Sequence, residues 1–268
     1  MKAAAKVTVY DLNGQKSGEI DLPKVFSTPL RKDLIVRAFL STMSKRRQSH
    51  GTDPLAGQRS SAHYHGRRRR VRWTMMGREM ARMPRLHGKI PGWQMYRARN
   101  VPQAVKGRAA HPPKTEKVWV QKINKKERRL AIKSAIAATA DKKLVDSRGH
   151  KIKDVKELPI IVSDDVAGLK KTSEVKKFLA AVGLGNEIKR IEKKKALGRK
   201  KASRGRKYKK KIGPLIVVTN DKGIGRSIEN ITGVHATRVS NLSVEMLSPG
   251  GVPGRLTIFT KGAIEKLK

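Results

Sequence analysis

Short apolar stretches at residues 7–10 and 19–22 flank Asn13-Gly14, a pair that readily takes the positive φ of a tight turn, and together they predict an N-terminal hairpin. Thr28 stands where it would cap a helix beginning at Pro29, with Leu34, Ile35, Ala38 and Thr42 recurring on one face. Asn124 followed by Glu127 has the spacing of a capping box, and the Ala-rich stretch 130–140 behind it predicts a helix. The β-branched run 160–162 reads as a strand leading into a helix whose Val175, Phe178, Leu179 and Val182 share a face before Gly183. Residues 215–219, 234–239 and 256–260 read as further strands, with helical stretches near 224–230, 241–247 and 261–268. Apolar strands alternating with helices predict a mostly parallel sheet covered on both faces, an α/β fold of Rossmann-like, three-layer type. There is no fixed-period repeat, so a solenoid is not expected.

Two stretches break this pattern. Residues 59–108 and 193–211 lack the apolar periodicity of either element, and the first is interrupted by Gly66, Gly77, Pro84, Gly88, Pro91 and Pro102. The expected organisation is a hairpin and first helix at 1–47, an extended arm at 48–117, and α/β domain at 118–192. A second basic extension follows at 193–211, and the rest of the α/β domain at 212–268. An arm of that length is usually functional, and gains its order on binding.

Charge says what it binds. Among 268 residues, 63 Lys and Arg face 21 Asp and Glu, a net +42 at pH 7. A globular surface holding that excess repels itself unless phosphates neutralise it, which excludes most ordinary cytosolic enzymes and points to nucleic acid. The excess is concentrated: residues 59–108 hold fourteen Lys or Arg and one acid, Glu79, and residues 193–211 hold twelve and no acid. The absence of cysteine removes disulfides, Cys-ligated zinc, iron–sulfur clusters and thiol nucleophiles. No apolar run reaches the ~18 residues of a membrane span, and residues 1–10 lack the apolar region of a signal peptide, so a soluble, intracellular protein with no membrane partner is expected.

The arm is rich in arginine, twelve to two over lysine, interleaved with Tyr64, Trp73, Trp93 and Tyr96. Arginine forks bind phosphates bidentately and stack on bases, and aromatic planes cover unstacked bases, a mixture suited to structured RNA. The candidate RNA-binding residues of the arm are Arg59, His63, Tyr64, His65, Arg67, Arg68, Arg69, Arg70, Arg72 and Trp73, and on its return Arg85, Arg97, Arg99, Lys106 and Arg108. In the second extension they are Arg199, Lys200, Lys201, Arg204, Arg206 and Lys207. Sequence offers little else. Gly223-Ile-Gly225 after a strand lacks the third glycine of a dinucleotide turn, and Asp164, Asp165 and Asp221 read as helix caps or solvated loop acids. His63 and His65 have no third ligand nearby in sequence, so they read as RNA contacts and no metal or other cofactor is expected. No Gly-x-Ser-x-Gly elbow or Walker sequence occurs, and no catalytic residue is assigned.

Several stretches resemble the large-subunit ribosomal protein L-four family in its archaeal and eukaryotic branch, across nearly the whole chain. They are Gly77-Arg78-x-x-Ala81-Arg82-x-Pro84-Arg85, Val101-Pro-Gln-Ala-Val-Lys-Gly-Arg108, Asn124-Lys-Lys-Glu-Arg128 with the following helix, and Leu247-Ser-Pro-Gly-Gly-Val-Pro-Gly-Arg-Leu256. Thr232 departs from the pattern, where proline would be expected. The resemblance implies a structural constituent of the cytoplasmic ribosome that binds large-subunit ribosomal RNA, supports its assembly and contacts neighbouring ribosomal proteins. It also implies an arm tip, Met76, Gly77, Arg78, Ala81 and Arg82, lining the nascent-peptide exit tunnel beside another protein's extension. Two rivals stay open on the residues alone: a nucleotide-dependent RNA-modifying enzyme with a basic guide loop, and a chromatin-type DNA compactor.

Overall fold

A computed structural model describes residues 6–66 and 72–267. Internal packing divides the chain into two compact units, Met1–Arg46 with Val120–Lys268, and Arg47–Trp119.

The first unit is α/β. Its strands are β1 (Lys6–Tyr10), β2 (Lys16–Asp21), β3 (Ile160–Val162), β6 (Leu215–Val218), β7 (His235–Arg238) and β8 (Thr257–Thr260), ordered β2-β1-β3-β8-β6-β7 across one sheet. Only the β1–β2 hairpin is antiparallel; β1–β3, β3–β8, β8–β6 and β6–β7 are parallel. Side chains alternate across a strand, so each apolar run feeds two cores. Ile160, Val162, Ile216, Val218 and Ile258 pack on one face against α4 (Thr172–Leu179), α5 (Gly185–Glu192) and α7 (Ile224–Glu229). Ile161, Leu215, Val217 and Phe259 pack on the other against α1 (Lys32–Ser44), α2 (Lys125–Ala137), α8 (Val244–Leu247) and α9 (Lys261–Lys266). The strand order differs from the 3-2-1-4-5-6 of dinucleotide-binding domains.

Several helix ends differ from the sequence expectation. Helix α1 begins at Lys32, not Pro29, because the Arg31 N–H is donated to Ser134 Oγ at 2.7 Å, while Lys24–Ser27 form a separate 3₁₀ turn. Asn124 does precede α2, but its side chain makes no cap; Glu127 turns instead to Arg37 at 3.1 Å. Helices α3 (Lys142–Ser147) and α5 were not predicted; Asp141 caps α3 by accepting from Lys143 N at 2.9 Å. Residues 193–211 are not featureless. Strands β4 (Lys195–Ala196) and β5 (Tyr208–Lys209) pair antiparallel around a one-turn helix, α6 (Arg199–Ala202).

Two buried ionic groups hold the unit together. Arg255, 2% exposed, donates to the carbonyls of Gly213 at 2.9 Å and Met246 at 2.8 Å, and to His235 Nδ1 at 2.6 Å. Arg148 donates to the carbonyls of Pro249 (2.7 Å) and Val252, so the turn of residues 247–256 is pinned by two arginines. On α5, Glu187 is fully buried and accepts from His150 Nδ1 at 2.6 Å, Lys151 N at 2.9 Å and both Arg190 Nε (2.7 Å) and Nη2 (2.6 Å). Burial pushes the Glu187 carboxyl up, but Arg190, His150 and the Lys151 amide outweigh it and hold the group at about 2. Burial likewise keeps the His150 imidazole below its ordinary value.

Both shifts are downward, so in each case the unfolded chain takes up its proton at higher pH than the folded protein does. Stability therefore begins to fall below about pH 6.5 through His150, and falls further from pH 4.5 toward 2 as unfolded-state Glu187 protonates. Urea unfolding as a function of pH checks this. Glu187→Gln should be less stable than the parent by about 3 kcal/mol at pH 7, and the two should converge near pH 2.

Candidate nucleic-acid interface

Among the described residues, the second unit, Arg47–Trp119, has no helix longer than one turn and few buried apolar groups: Ala62, Met75 and Leu86 are its buried hydrophobic side chains. Backbone hydrogen bonds draw three segments side by side. Arg85 N donates to His63 O at 3.2 Å, Leu86 N to Arg97 O at 3.0 Å, Tyr96 N to Leu86 O at 2.8 Å and Arg99 N to Pro84 O at 3.1 Å. Asn100 adds two side-chain ties, its Nδ2 donating to Ala62 O and its Oδ1 accepting from Ser60 Oγ, both at 2.8 Å. Where the arm closes on itself, backbone meets backbone. A Cβ on Gly57, which holds φ 77°, would lie 2.4 Å from the Gly107 carbonyl, and one on Gly107 would lie 1.9 Å from Val101 O. Only glycine fits at either position.

The arm's positive charge is sorted by contact. Arg85 spends its guanidinium inside, on Tyr96 O at 2.7 Å and Ala81 O at 3.0 Å; Arg99 donates to Val105 O at 2.6 Å, and Arg59 pairs with Asp53. Others lie on aromatic rings: Arg72 5.0 Å from the centre of Trp73, Arg97 5.0 Å from Trp93 and Arg47 4.0 Å from Trp119. Arg78 both covers Tyr96 at 4.6 Å and donates to its hydroxyl at 2.5 Å. The side chains of Arg82, Lys89, Lys106 and Arg108 are exposed and make no hydrogen bond or ion pair among the described residues. Trp93 is 66% exposed and Tyr64 40%, apolar planes that water solvates poorly and a base would cover. Of the tip residues, Gly77, Arg78, Ala81 and Arg82 are exposed and Met76 is half-buried. Arg67, Arg68, Arg69 and Arg70 lie outside the described residues.

The arm also carries strain. Trp73, Glu79, Tyr96, Asn100 and Lys106 all adopt left-handed φ between 55° and 69°, each at a cost on the order of 1 kcal/mol for a residue with a Cβ. With so little buried surface of its own, the unit holds these angles against a small internal restoring force.

In the β4–β5 hairpin, Arg199, Lys200, Lys201, Arg204, Arg206 and Lys207 all face solvent, with no acid between residues 193 and 211. Next to it, Lys151, Lys153, Lys189, Lys193, Lys211 and Arg190 line a cleft of about 420 Å³ with Asn186. Sequence reading passed over the lysines at 151, 153 and 189, because they are scattered along helix and loop, and only the fold gathers them.

His63 and His65 do not stand alone. His87 joins them, with ring centres 4.1 to 4.5 Å apart, and His65 Nε2 lies 2.5 Å from His87 Nε2. Burial, with neighbouring histidines adding to it, holds His65 and His87 below the ordinary imidazole value. No spacing rule links residue 87 to 63 and 65, so sequence missed it.

At the carboxyl ends of the parallel strands, where α/β sheets bind ligands, the acids serve as caps. Asp221 Oδ1 accepts from Gly223 N at 2.9 Å and Gly225 N at 3.2 Å, filling the helix N-terminus that a pyrophosphate would occupy. Asp164 accepts from Gly262 N at 3.1 Å, capping α9 from the 3₁₀ turn that follows β3.

Comparison with known sequences decides the lineage. The sequence model described as "Ribosomal protein L4/L1 family" matches residues 20–268. The chain belongs to that family. Relatives titled "Large ribosomal subunit protein uL4" come from Nanoarchaeum equitans, 45% identical over 98% of this chain and 97% of the relative, and from Methanosphaera stadtmanae, 43% identical over 98% and 96%. The Haloarcula marismortui protein of the same title is 42% identical over 98% of each. These L4-family relatives are named as ribosomal proteins, not as enzymes, and among the described residues no helix is long and apolar enough to cross a membrane.

Proposed function

We propose that this chain is a non-catalytic structural constituent of the large subunit of the cytoplasmic ribosome, binding its ribosomal RNA through the arm at residues 48–117 and the basic hairpin at 193–211. The α/β unit, three-layered and Rossmann-like in its layering, anchors the two. The observation that carries this is the pairing of two cation-rich, solvent-facing segments, residues 59–108 with one acid and 193–211 with none, with arginines laid on the half-buried Trp73 and the exposed Trp93. Phosphates satisfy the first feature and unstacked bases the second. The strained backbone of the arm fits the same reading, because packed RNA supplies the restoring contacts that its own small core does not. Threading between RNA helices supports assembly of the subunit, and the α/β unit meets neighbouring ribosomal proteins. The tip, Met76, Gly77, Arg78, Ala81 and Arg82, lines the nascent-peptide tunnel beside another protein's extension.

The RNA-modifying alternative needs a cofactor turn, and the helix N-terminus after Gly223 already holds the Asp221 carboxylate. A tagged full-length protein expressed in cells should sediment with the large subunit in sucrose gradients. Recovery only at the top of the gradient overturns the proposal. Removing residues 76–82 should leave incorporation intact while changing sensitivity to drugs that block the tunnel; unchanged sensitivity overturns the tip assignment.

A further inference from the structure

We infer that His63, His65 and His87 form a zinc-binding site in the arm, beyond its RNA-binding role. Each presents one ring nitrogen, and the three nitrogens lie within 4.8 Å of one another with no carboxylate in the group. Zinc bound by imidazole at 2.0–2.1 Å with tetrahedral angles needs nitrogens about 3.3 Å apart, a spacing that small side-chain rotations reach from here. Three imidazoles are a donor set that suits zinc, and leave a fourth position for water or a phosphate oxygen.

The surroundings prepare the donors. His63 Nδ1 lies 3.2 Å from the Ser61 carbonyl, which only accepts, so Nδ1 carries the proton and Nε2 keeps its lone pair. A backbone carbonyl in that role is the usual second partner of a metal-binding histidine. His65 Nε2 and His87 Nε2, 2.5 Å apart, cannot both present lone pairs to each other without something positive between them: a proton at this spacing, or a metal ion once the rings part to about 3.3 Å. Trp73 lies over His87 with ring centres 5.4 Å apart and planes 19° from parallel, fixing that ring's plane. The hydrogen bond from Arg85 N to His63 O holds the two histidine-bearing segments together. Bound zinc would therefore staple the outgoing limb of the arm to its return.

Metal-free full-length protein is titrated with Co²⁺, read by its visible absorption, and then with Zn²⁺. The expected result is one saturable Co²⁺ with the intense band of a four-coordinate ion, displaced by Zn²⁺. His87→Asn and His63→Asn should each weaken binding at least about tenfold, and His111→Asn, an exposed arm histidine outside the group, should not. Absence of a saturable site, or equal binding in His87→Asn, overturns the inference and leaves a proton-sharing imidazole stack. A measurement on the unaltered chain guards against variants that misfold the arm: Zn²⁺ should protect His63, His65 and His87 from acylation by diethyl pyrocarbonate while His111 reacts as before. Equal reaction of all four with and without Zn²⁺ overturns it as well.

Discussion

Between about 50 and about 200 mM monovalent salt, the affinity of the purified protein for large-subunit RNA should fall by roughly three to five orders of magnitude. That slope corresponds to about six to ten neutralised phosphates, each releasing condensed counterions. The chain has the cations to supply them: Arg82, Lys89, Lys106 and Arg108 extend from the arm, and Arg199, Lys200, Lys201, Arg204, Arg206 and Lys207 from the hairpin. Not every arginine counts equally. Replacing Arg199, Lys200 and Lys201 together by glutamine should flatten the log–log slope by about two to three. Arg85→Gln should leave the slope nearly unchanged, because that guanidinium already binds the carbonyls of Ala81 and Tyr96. Filter binding over a salt series measures both. A flat dependence rules out the phosphate mechanism, and equal competition by duplex DNA and folded RNA favours a general compactor of nucleic acid.

Arg255→Ala should destabilise the α/β unit by about 3–5 kcal/mol, the largest loss expected from a single substitution outside the sheet core. Burial works against this guanidinium and lowers its pKa to about 9, with Arg148 adding to the effect, so its retention depends on its partners. Removing it strands the carbonyls of Gly213 and Met246 in the interior and opens a cavity where the side chain lay. Urea denaturation followed by far-ultraviolet circular dichroism gives the number. A loss below about 1 kcal/mol means that water enters and satisfies those carbonyls. Arg255 belongs to the turn of residues 247–256 by which the family was recognised in sequence; its guanidinium serves folding, not RNA.

The centre of the sheet was legible because β3, β6 and β8 are buried on both faces. Residues 160–162 and 215–219 read as strands from their continuous apolar runs, observed as Ile160–Val162 and Leu215–Val218, and the structure divides each run between the two cores. Helix ends were less legible where tertiary contacts compete with local signals. Ser134 captures the Arg31 amide, and Arg37 draws Glu127 away from its capping position; neither partner is near in sequence. Helix α5 escaped notice because Gly183, at φ 87°, reads as a stop, whereas the chain turns there and resumes as a helix with Ile188 and Ile191 inward. In the arm, residue types marked the chemistry but not the division of labour. That Arg85 and Arg99 turn inward, and that His87 comes back to His63, follows from backbone pairing across some twenty residues, which no short-range pattern encodes.

The Gly57–Gly107 contact makes the arm a loop with a sealed neck, fifty residues from one closing position to the other. The entropy of closing such a ring grows only with the logarithm of its length, so ten more residues at the tip would raise the cost by about 0.2 kcal/mol. Insertions and deletions beyond the neck are therefore nearly invisible to the folding of what lies behind it. Selection is free to lengthen or shorten the reach of the arm, provided those two glycines stay.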